Sequence, residues 1–424
     1  MSDNSLYEVS TLPNGIRLAT TTMPHLRGVC VGIWAAVGGR HETESESGLA
    51  HFLEHLLFKG TSKHSARELT TAVEGIGGYL NAFTTEDHTC YYAKAAARHF
   101  ARLSDVLIEM YTDSQFPENE VEREREVIRE EILSYRDVPA QWAEELLSEA
   151  LWPRHPLGRP LTGTIDTLAQ LDGSHLRVFR DRFYTGQNTI LTVAGPIGHG
   201  EVVQQVSGRL AGIAPGSVFT PLSSPRRVRS GVRVEDEESE QAHLALGFHA
   251  VSRTHPQRFA LRLLSVLLGE NMSSRLFQSL REHYGYCYSV QSSTVLLEET
   301  GALSIFADLD PLKLPKALQV IRRELTRLCD QKPSKAELRR ARDFTIGQTQ
   351  ISLDSATQQI SWMAESLMAH GRVEDPSEVE RGIFNVTPEA VQAVARACFK
   401  PNRTGVALVG PGYSRASVRQ MIFG

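Results

Sequence analysis

The sequence predicts an α+β protein of two homologous domains, each a mainly antiparallel or mixed sheet with helices packed on one side. Three observations carry that prediction. The two halves echo one another at an offset of roughly 210 residues, the mark of a duplicated unit. Thr-Gly-Gln-Asn-Thr-Ile-Leu-Thr-Val-Ala-Gly-Pro at 185–196 is answered by Lys-Pro-Asn-Arg-Thr-Gly-Val-Ala-Leu-Val-Gly-Pro at 400–411. Phe183 recurs as Phe399, the Phe116-Pro117 helix opening as Lys332-Pro333, and Gly78 ahead of Asn81 as Gly285 ahead of Ser289. Hairpin strands and helices also mix without strict strand–helix alternation, which favours α+β over a doubly wound sheet. Finally, residues 214–231 are rich in Pro, Ser, Gly and Arg and read as a linker. The expected division is therefore 1–213, linker 214–231, and 232–424.

Taken in order, residues 7–22 read as a hairpin around Pro13-Asn14-Gly15, a strong turn signal. Residues 28–37 form a short apolar strand, and 38–47 a polar loop. The stretch 47–60 is an amphipathic helix with Ser47 as N-cap and Gly60 as its stop. Its apolar stripe is Leu49, Phe52, Leu53, Leu56 and Leu57. Residues 66–75 are helical until Gly77-Gly78 breaks them, and 79–95 supply two strands about a Thr/Glu/Asp turn. Residues 97–111 form an amphipathic helix, and Pro117 opens a long charged one to about Tyr135.

On the 47–60 helix, His51, Glu54 and His55 share the face opposite the leucines, because spacings of three and four bring side chains together. Two His at i and i+4 are half of a zinc site, and a catalytic zinc takes three protein ligands and keeps a position open for water. Glu54 between them is placed to take a proton from that water. The order His-x-x-Glu-His is the inverzincin signature. The bland alternative is a solvated face that carries two His. In the charged helix, most of the Glu are solvated. Val121, Ile128 and Ile132 form its buried stripe, and Glu124 and Glu131 line its edge. Glu131 is a candidate third ligand, and Glu124 a candidate partner for a ligand imidazole. The counterpart region in the second half, 261–278, has no such cluster, so the chemistry belongs to the first half.

Composition excludes several classes. With 41% hydrophobic and 22% charged residues and a net charge of −5, nothing points to nucleic acid or a membrane surface. The start, Met1-Ser2-Asp3-Asn4-Ser5, lacks the basic and apolar parts of a signal peptide, and the longest apolar runs, such as 29–37, are too short to span a bilayer. Five scattered Cys without a Cys-x-x-Cys pair fit a reducing compartment, and the cytoplasm is the expected location. No phosphate-binding Gly-x-x-x-x-Gly-Lys-Ser/Thr loop is present, and Gly75-Ile76-Gly77-Gly78 lacks the spacing for dinucleotide binding.

His51-x-x-Glu54-His55 followed by Glu131 resembles the pitrilysin/insulinase zinc peptidases, most closely the two-domain branch that includes the mitochondrial processing peptidase β subunit and its bacterial relatives. The likeness runs over most of the chain, through 48–61, Gly78-Tyr79-Leu80-Asn81-Ala82-Phe83-Thr84, 122–132 and 274–290. It implies that His51, His55 and Glu131 hold one Zn2+ per chain, that Glu54 is the general base, and that Glu124 supports a ligand. Arg281 and Tyr288 match the family's pair that holds substrate and the developing oxyanion. Without the likeness they read as a surface Arg and a strand Tyr. Tyr286-Cys287 departs from the smaller or aliphatic pair common there.

The resemblance implies a zinc-dependent endopeptidase hydrolysing peptides or unfolded segments inside a closed, clam-like dimeric chamber. In that family the Arg/Tyr pair reaches the zinc of the other chain. This chain carries both parts, which implies a homodimer with shared active sites. The alternatives are a non-catalytic structural subunit of a larger complex, or a peptidase subunit active only with a different partner chain. Substrate is expected to add as an extra strand along Leu80, Asn81, Ala82 and Phe83, with main-chain hydrogen bonds giving affinity at little sequence demand.

Overall fold

The computed structural model describes residues 6–219, 222–223 and 231–423. Residues 1–5, on which the expectation about a signal peptide rests, and the 220–221 and 224–230 parts of the expected linker lie outside the described residues. The chain forms two compact units, Met1–Ile132 with Pro160–Leu222 and Gln350–Pro376, and Leu133–Arg159 with Ser223–Thr349 and Ser377–Gly424.

The first unit is built on strands β1 (Glu8–Thr11), β2 (Arg17–Thr22), β3 (Gly28–Ala35), β4 (Tyr79–Thr84), β5 (Thr89–Ala96) and β6 (Thr189–Gly195), in the order β1-β2-β6-β3-β5-β4. Only β2 and β6 pair in parallel. The second unit holds β7 (Val232–Glu235), β8 (Ala242–Ala250), β9 (Cys287–Leu296), β10 (Gly301–Leu309) and β11 (Thr404–Val409), in the order β7-β11-β8-β10-β9, with only β7 and β11 parallel. The order β2-β6-β3-β5-β4 thus recurs strand for strand with the same mixed pairing. The two segments matched in sequence, 185–196 and 400–411, carry β6 and β11. The first hairpin turns at Gly15, whose φ of +92° places it in the left-handed region that glycine tolerates.

One face of the first sheet carries the expected helical layer. Helices α1 (Leu49–Leu56), α2 (Ala66–Glu74), α3 (Phe100–Asp113) and α4 (Glu118–Arg136) bury Phe52, Leu53, Leu69, Leu107 and Ile128 against Leu18, Val29, Val31 and Ile33 of the strands. The other face is covered too. Cys30, Trp34, Cys90 and Ile190 pack against Ile360, Met363, Ala364 and Leu367 of helix Ala356–His370. Burial on both faces explains why β3 is a continuous apolar run rather than an alternating one.

In the second unit, α5 (Pro139–Leu151) plays the corresponding part, with Leu147 and Leu151 against Ala245, Ala407 and Val409. Glycines make room for these helices: a Cβ at Gly32 would meet Ile360 Cδ1 at 2.9 Å, and one at Gly247 would meet Leu151 Cδ1 at 2.7 Å.

Residues 133–159, before the expected boundary, belong to the second unit, and 350–376, after it, belong to the first. The paired helices α4–α5 correspond to Lys335–Leu353 and Ala356–His370, and the second helix of each pair packs in the other unit. An amphipathic stripe specifies that a helix will be buried, not on which of two homologous sheets. Among the described residues, no helix is long and apolar enough to cross a membrane.

Candidate metal centre

All five residues of the predicted apolar stripe of α1 and the turn after it, Leu49, Phe52, Leu53, Leu56 and Leu57, are buried. Each contributes about 1.5–3 kcal/mol by leaving water, which pins the helix and turns His51, Glu54 and His55 away from the core. After Leu56 a 3-10 turn, Leu57–Lys59, leads to Gly60 at φ +120°, the predicted stop. The N-terminus differs from expectation. Ser47 does not cap the helix, and its hydroxyl has no hydrogen-bond partner. Gly48 takes the cap position at φ +92°, where a side chain would meet the Thr162 carbonyl oxygen at 2.6 Å. The buried carboxylate of Glu42 accepts the N–H groups of Gly48 (2.9 Å) and Ala50 (2.7 Å) instead.

Helix α4 brings Glu131 to the same face. Its Oε2 lies 3.7 Å from His51 Nε2 and 3.6 Å from His55 Nε2, and the three atoms all fall within 4.8 Å of one another. Among the described residues this is the only group of three or more such side chains close enough to share an ion. The separations are beyond hydrogen-bond range, yet close to the ~3.3 Å expected between two ligands that sit about 2 Å from one tetrahedral ion. Behind His55, Glu124 Oε2 lies 3.1 Å from Nδ1, which orients the ring with Nε2 toward Glu131. The residues present fit a zinc ion.

The electrostatics of the two imidazoles differ. Burial, together with the nearby His55, pushes the His51 imidazole down to about 3, so it is neutral at physiological pH. Burial pulls His55 down as well, but the hydrogen bond to Glu124 and the carboxylates of Glu54 and Glu131 more than offset this and raise it. Glu124 is held below its ordinary range, because hydrogen bonds to His55 and Lys59 outweigh the cost of burial. Burial raises the Glu54 carboxyl, with His55 and a hydrogen bond from Thr84 acting against it.

The predicted residues sort cleanly. Glu124 is buried and Glu131 half-buried, while Glu120, Glu122 and Glu126 face solvent or its edge and pair with Arg123, Arg125 and Arg129. Two contacts have no counterpart in the sequence reading: Lys59 Nζ stands 2.7 Å from Glu124 Oε1, and Thr84 Oγ1 donates to Glu54 Oε2 at 3.0 Å. Glu124→Ala is expected to weaken zinc binding about 10- to 100-fold while leaving the ligand set intact. Competition against a chromogenic chelator measures this.

Strand β4 is one of the two outer strands of its sheet. Leu80 and Ala82 pack toward the core on the side of α1, whereas Phe83 lies edge-on to Trp34 at 5.7 Å. Asn81 is exposed and donates to the Tyr79 hydroxyl at 2.7 Å. In the second unit, Arg281 sits on a seven-residue π-helix, Phe277–His283, a rare geometry often found at functional sites. Its guanidinium lies 5.2 Å from the ring centroid of Tyr288, which is 74% exposed.

Residues 17–165 match the family model described as insulinase (peptidase family M16), and residues 170–344 match that of the peptidase M16 inactive domain. An uncharacterized zinc protease of Streptomyces coelicolor is 35% identical over 411 residues, which covers 95% of this chain and 89% of that protein. One of Bacillus subtilis is 35% identical over 401 residues, covering 95% and 97%. A solved protease from Helicobacter pylori shares the fold at a TM-score of 0.90 and 22% identity, covering 96% of this chain and 99% of that one. The chain is therefore a member of the insulinase family, peptidase family M16.

Proposed function

We propose that the protein is a zinc-dependent endopeptidase, with one zinc per chain held by His51, His55 and Glu131, acting on peptides or unfolded polypeptide segments. The observation that carries this reading is the convergence of three potential ligand atoms within 4.8 Å beside a second carboxylate, that of Glu54. A zinc ion held there supplies Lewis-acid polarisation of the scissile carbonyl and acidification of water. Glu54 takes the proton from the attacking water and delivers it to the leaving amine. Thr84 fixes one of its carboxylate oxygens and leaves the other for that transfer. Glu124 holds the His55 tautomer through both events.

Arg281 and Tyr288 supply donors to the carbonyl oxygen as it gains charge, a contribution of about 3 kcal/mol per donor. The pair serves the centre of a second copy of this chain, so two chains enclose a chamber with two shared sites. Substrate adds along the outer edge of β4, main chain to main chain, and Leu80, Asn81, Ala82 and Phe83 set its register. A reducing compartment, the cytoplasm, fits the five unpaired cysteines.

The protein is expected to cleave a denatured, reduced protein substrate, to lose that activity on chelation, and to regain it with zinc but not with magnesium. Hydrolysis that survives complete removal of metal overturns the assignment. Stoichiometric zinc without any hydrolysis would move the chain to the non-catalytic subunit reading.

A further inference from the structure

We propose that Glu42 is the positioning residue of the metal-binding helix: its buried carboxylate clamps the first turn of α1, so that His51 and His55 meet the ion already aligned. This inference rests on the zinc reading given above. Helix α1 has eight residues, about two turns, and His51 is its third residue, so the first turn and the ligand face are one object. A helix that short is marginal unless its free N–H groups are satisfied and its ends are held. Glycine at the cap position has no side chain, the Ser47 hydroxyl is unpartnered, and no acidic residue lies in the first turn. Glu42, only 4% exposed, supplies the missing acceptors, with one oxygen on the Gly48 N–H and the other on that of Ala50.

The mount of this clamp is itself fixed. The preceding residues bond to the turn between β4 and β5, Gly39 N to Thr85 O and Arg40 N to Glu86 O, both at 3.1 Å. The buried Arg40 guanidinium pairs with Asp87 at 3.0 Å, and the His41 ring meets Phe183 edge-on at 6.0 Å. Thr84, which holds Glu54, ends β4 at the same turn. One frame therefore holds the start of the ligand helix and the carboxylate of the general base.

A carboxylate suits this task in a way its amide cannot. Both of its oxygens accept, whereas Gln would set an NH2 donor against one of the two backbone N–H donors. In the full-length protein, Glu42→Gln is expected to weaken zinc binding about tenfold, the lower end of what losing an orienting partner costs. At saturating zinc, kcat falls while KM is unchanged. Glu46→Gln is the control. That carboxylate, on the same loop, bonds Thr43 and Arg182 rather than α1, and its removal leaves zinc affinity as in wild type.

A lower melting temperature in Glu42→Gln with wild-type zinc affinity and kcat overturns the proposal and makes Glu42 a merely structural residue. Should the variant fail to fold, hydrogen exchange of the metal-free wild type decides. Slow exchange at the Gly48 and Ala50 amides supports the clamp, and exchange at the rate of an open loop overturns it. Failure of the wild type to bind zinc sinks the metal reading instead, so the two failures are distinguishable.

Discussion

Glu54→Gln is expected to retain one zinc per chain and to lose turnover by about 10²- to 10⁴-fold, the usual contribution of a positioned general base. Gln has the same shape, keeps an oxygen able to accept the Thr84 hydrogen bond, and leaves His51, His55 and Glu131 untouched. What it loses is basicity. Stability gives a second reading of the same substitution. Burial raises the Glu54 carboxyl, so the folded protein binds that proton more tightly than the unfolded chain does. A group shifted in this direction adds stability below its unfolded pKa, and that stability is lost as pH rises through the folded value. At neutral pH the charged Glu54 therefore costs stability, and the metal-free Glu54→Gln protein is expected to melt no lower than metal-free wild type. Metal analysis together with kcat checks the first expectation, and thermal unfolding checks the second. Zinc lost along with activity would show Glu54 to be a ligand rather than the base.

The parts of this centre legible in the sequence are those set by helical periodicity. The stripe of α1 places His51, Glu54 and His55 on one face, and the stripe of α4 separates Glu124 and Glu131 from the glutamates paired with surface arginines. Periodicity within an element reports which way each side chain turns, and it makes these residues candidates; the choice of Glu131 as third ligand and Glu124 as a ligand's support came from the family resemblance. The cap of α1 was not legible, because Glu42, which accepts the Gly48 and Ala50 N–H groups, lies outside the helix and carries no local capping pattern. Lys59 and Thr84 escaped for a similar reason. Each acts on a residue in a different element, and neither carries a local pattern.

The fold shows the same boundary. Strand order and pairing repeat because each half carries its own hairpins and turn residues. The placement of α5 and of helix Ala356–His370 was hidden, since either apolar face is complementary to either sheet. One clue was available in the first half: β3 is apolar at every position from Val29 to Ala35, and a strand buried on one face only would alternate. A helix on the second face was implied, though not its identity.

Mixing Glu54→Gln chains with Arg281→Ala chains is expected to restore activity that neither variant has alone. The reasoning is geometric. If the Arg281/Tyr288 pair acts on the metal group of its own chain, every centre in the mixture lacks either the base or the arginine, and nothing is recovered. If it acts across a two-fold dimer, a mixed dimer contains one centre with Glu54 from one chain and Arg281 from the other. Equal amounts, fully exchanged, make about half the dimers mixed, each with one of its two centres intact, so about a quarter of wild-type activity returns. The chemistry of the pair makes Arg281 the sensitive choice. Its guanidinium stands over a Tyr288 ring that is three-quarters exposed. Such a pairing orients the guanidinium at an open surface. Native mass spectrometry verifies that exchange has occurred, and hydrolysis of a quenched peptide measures the recovery. Mixed dimers present in the expected proportion but inactive would reject sharing and confine each centre to a single chain.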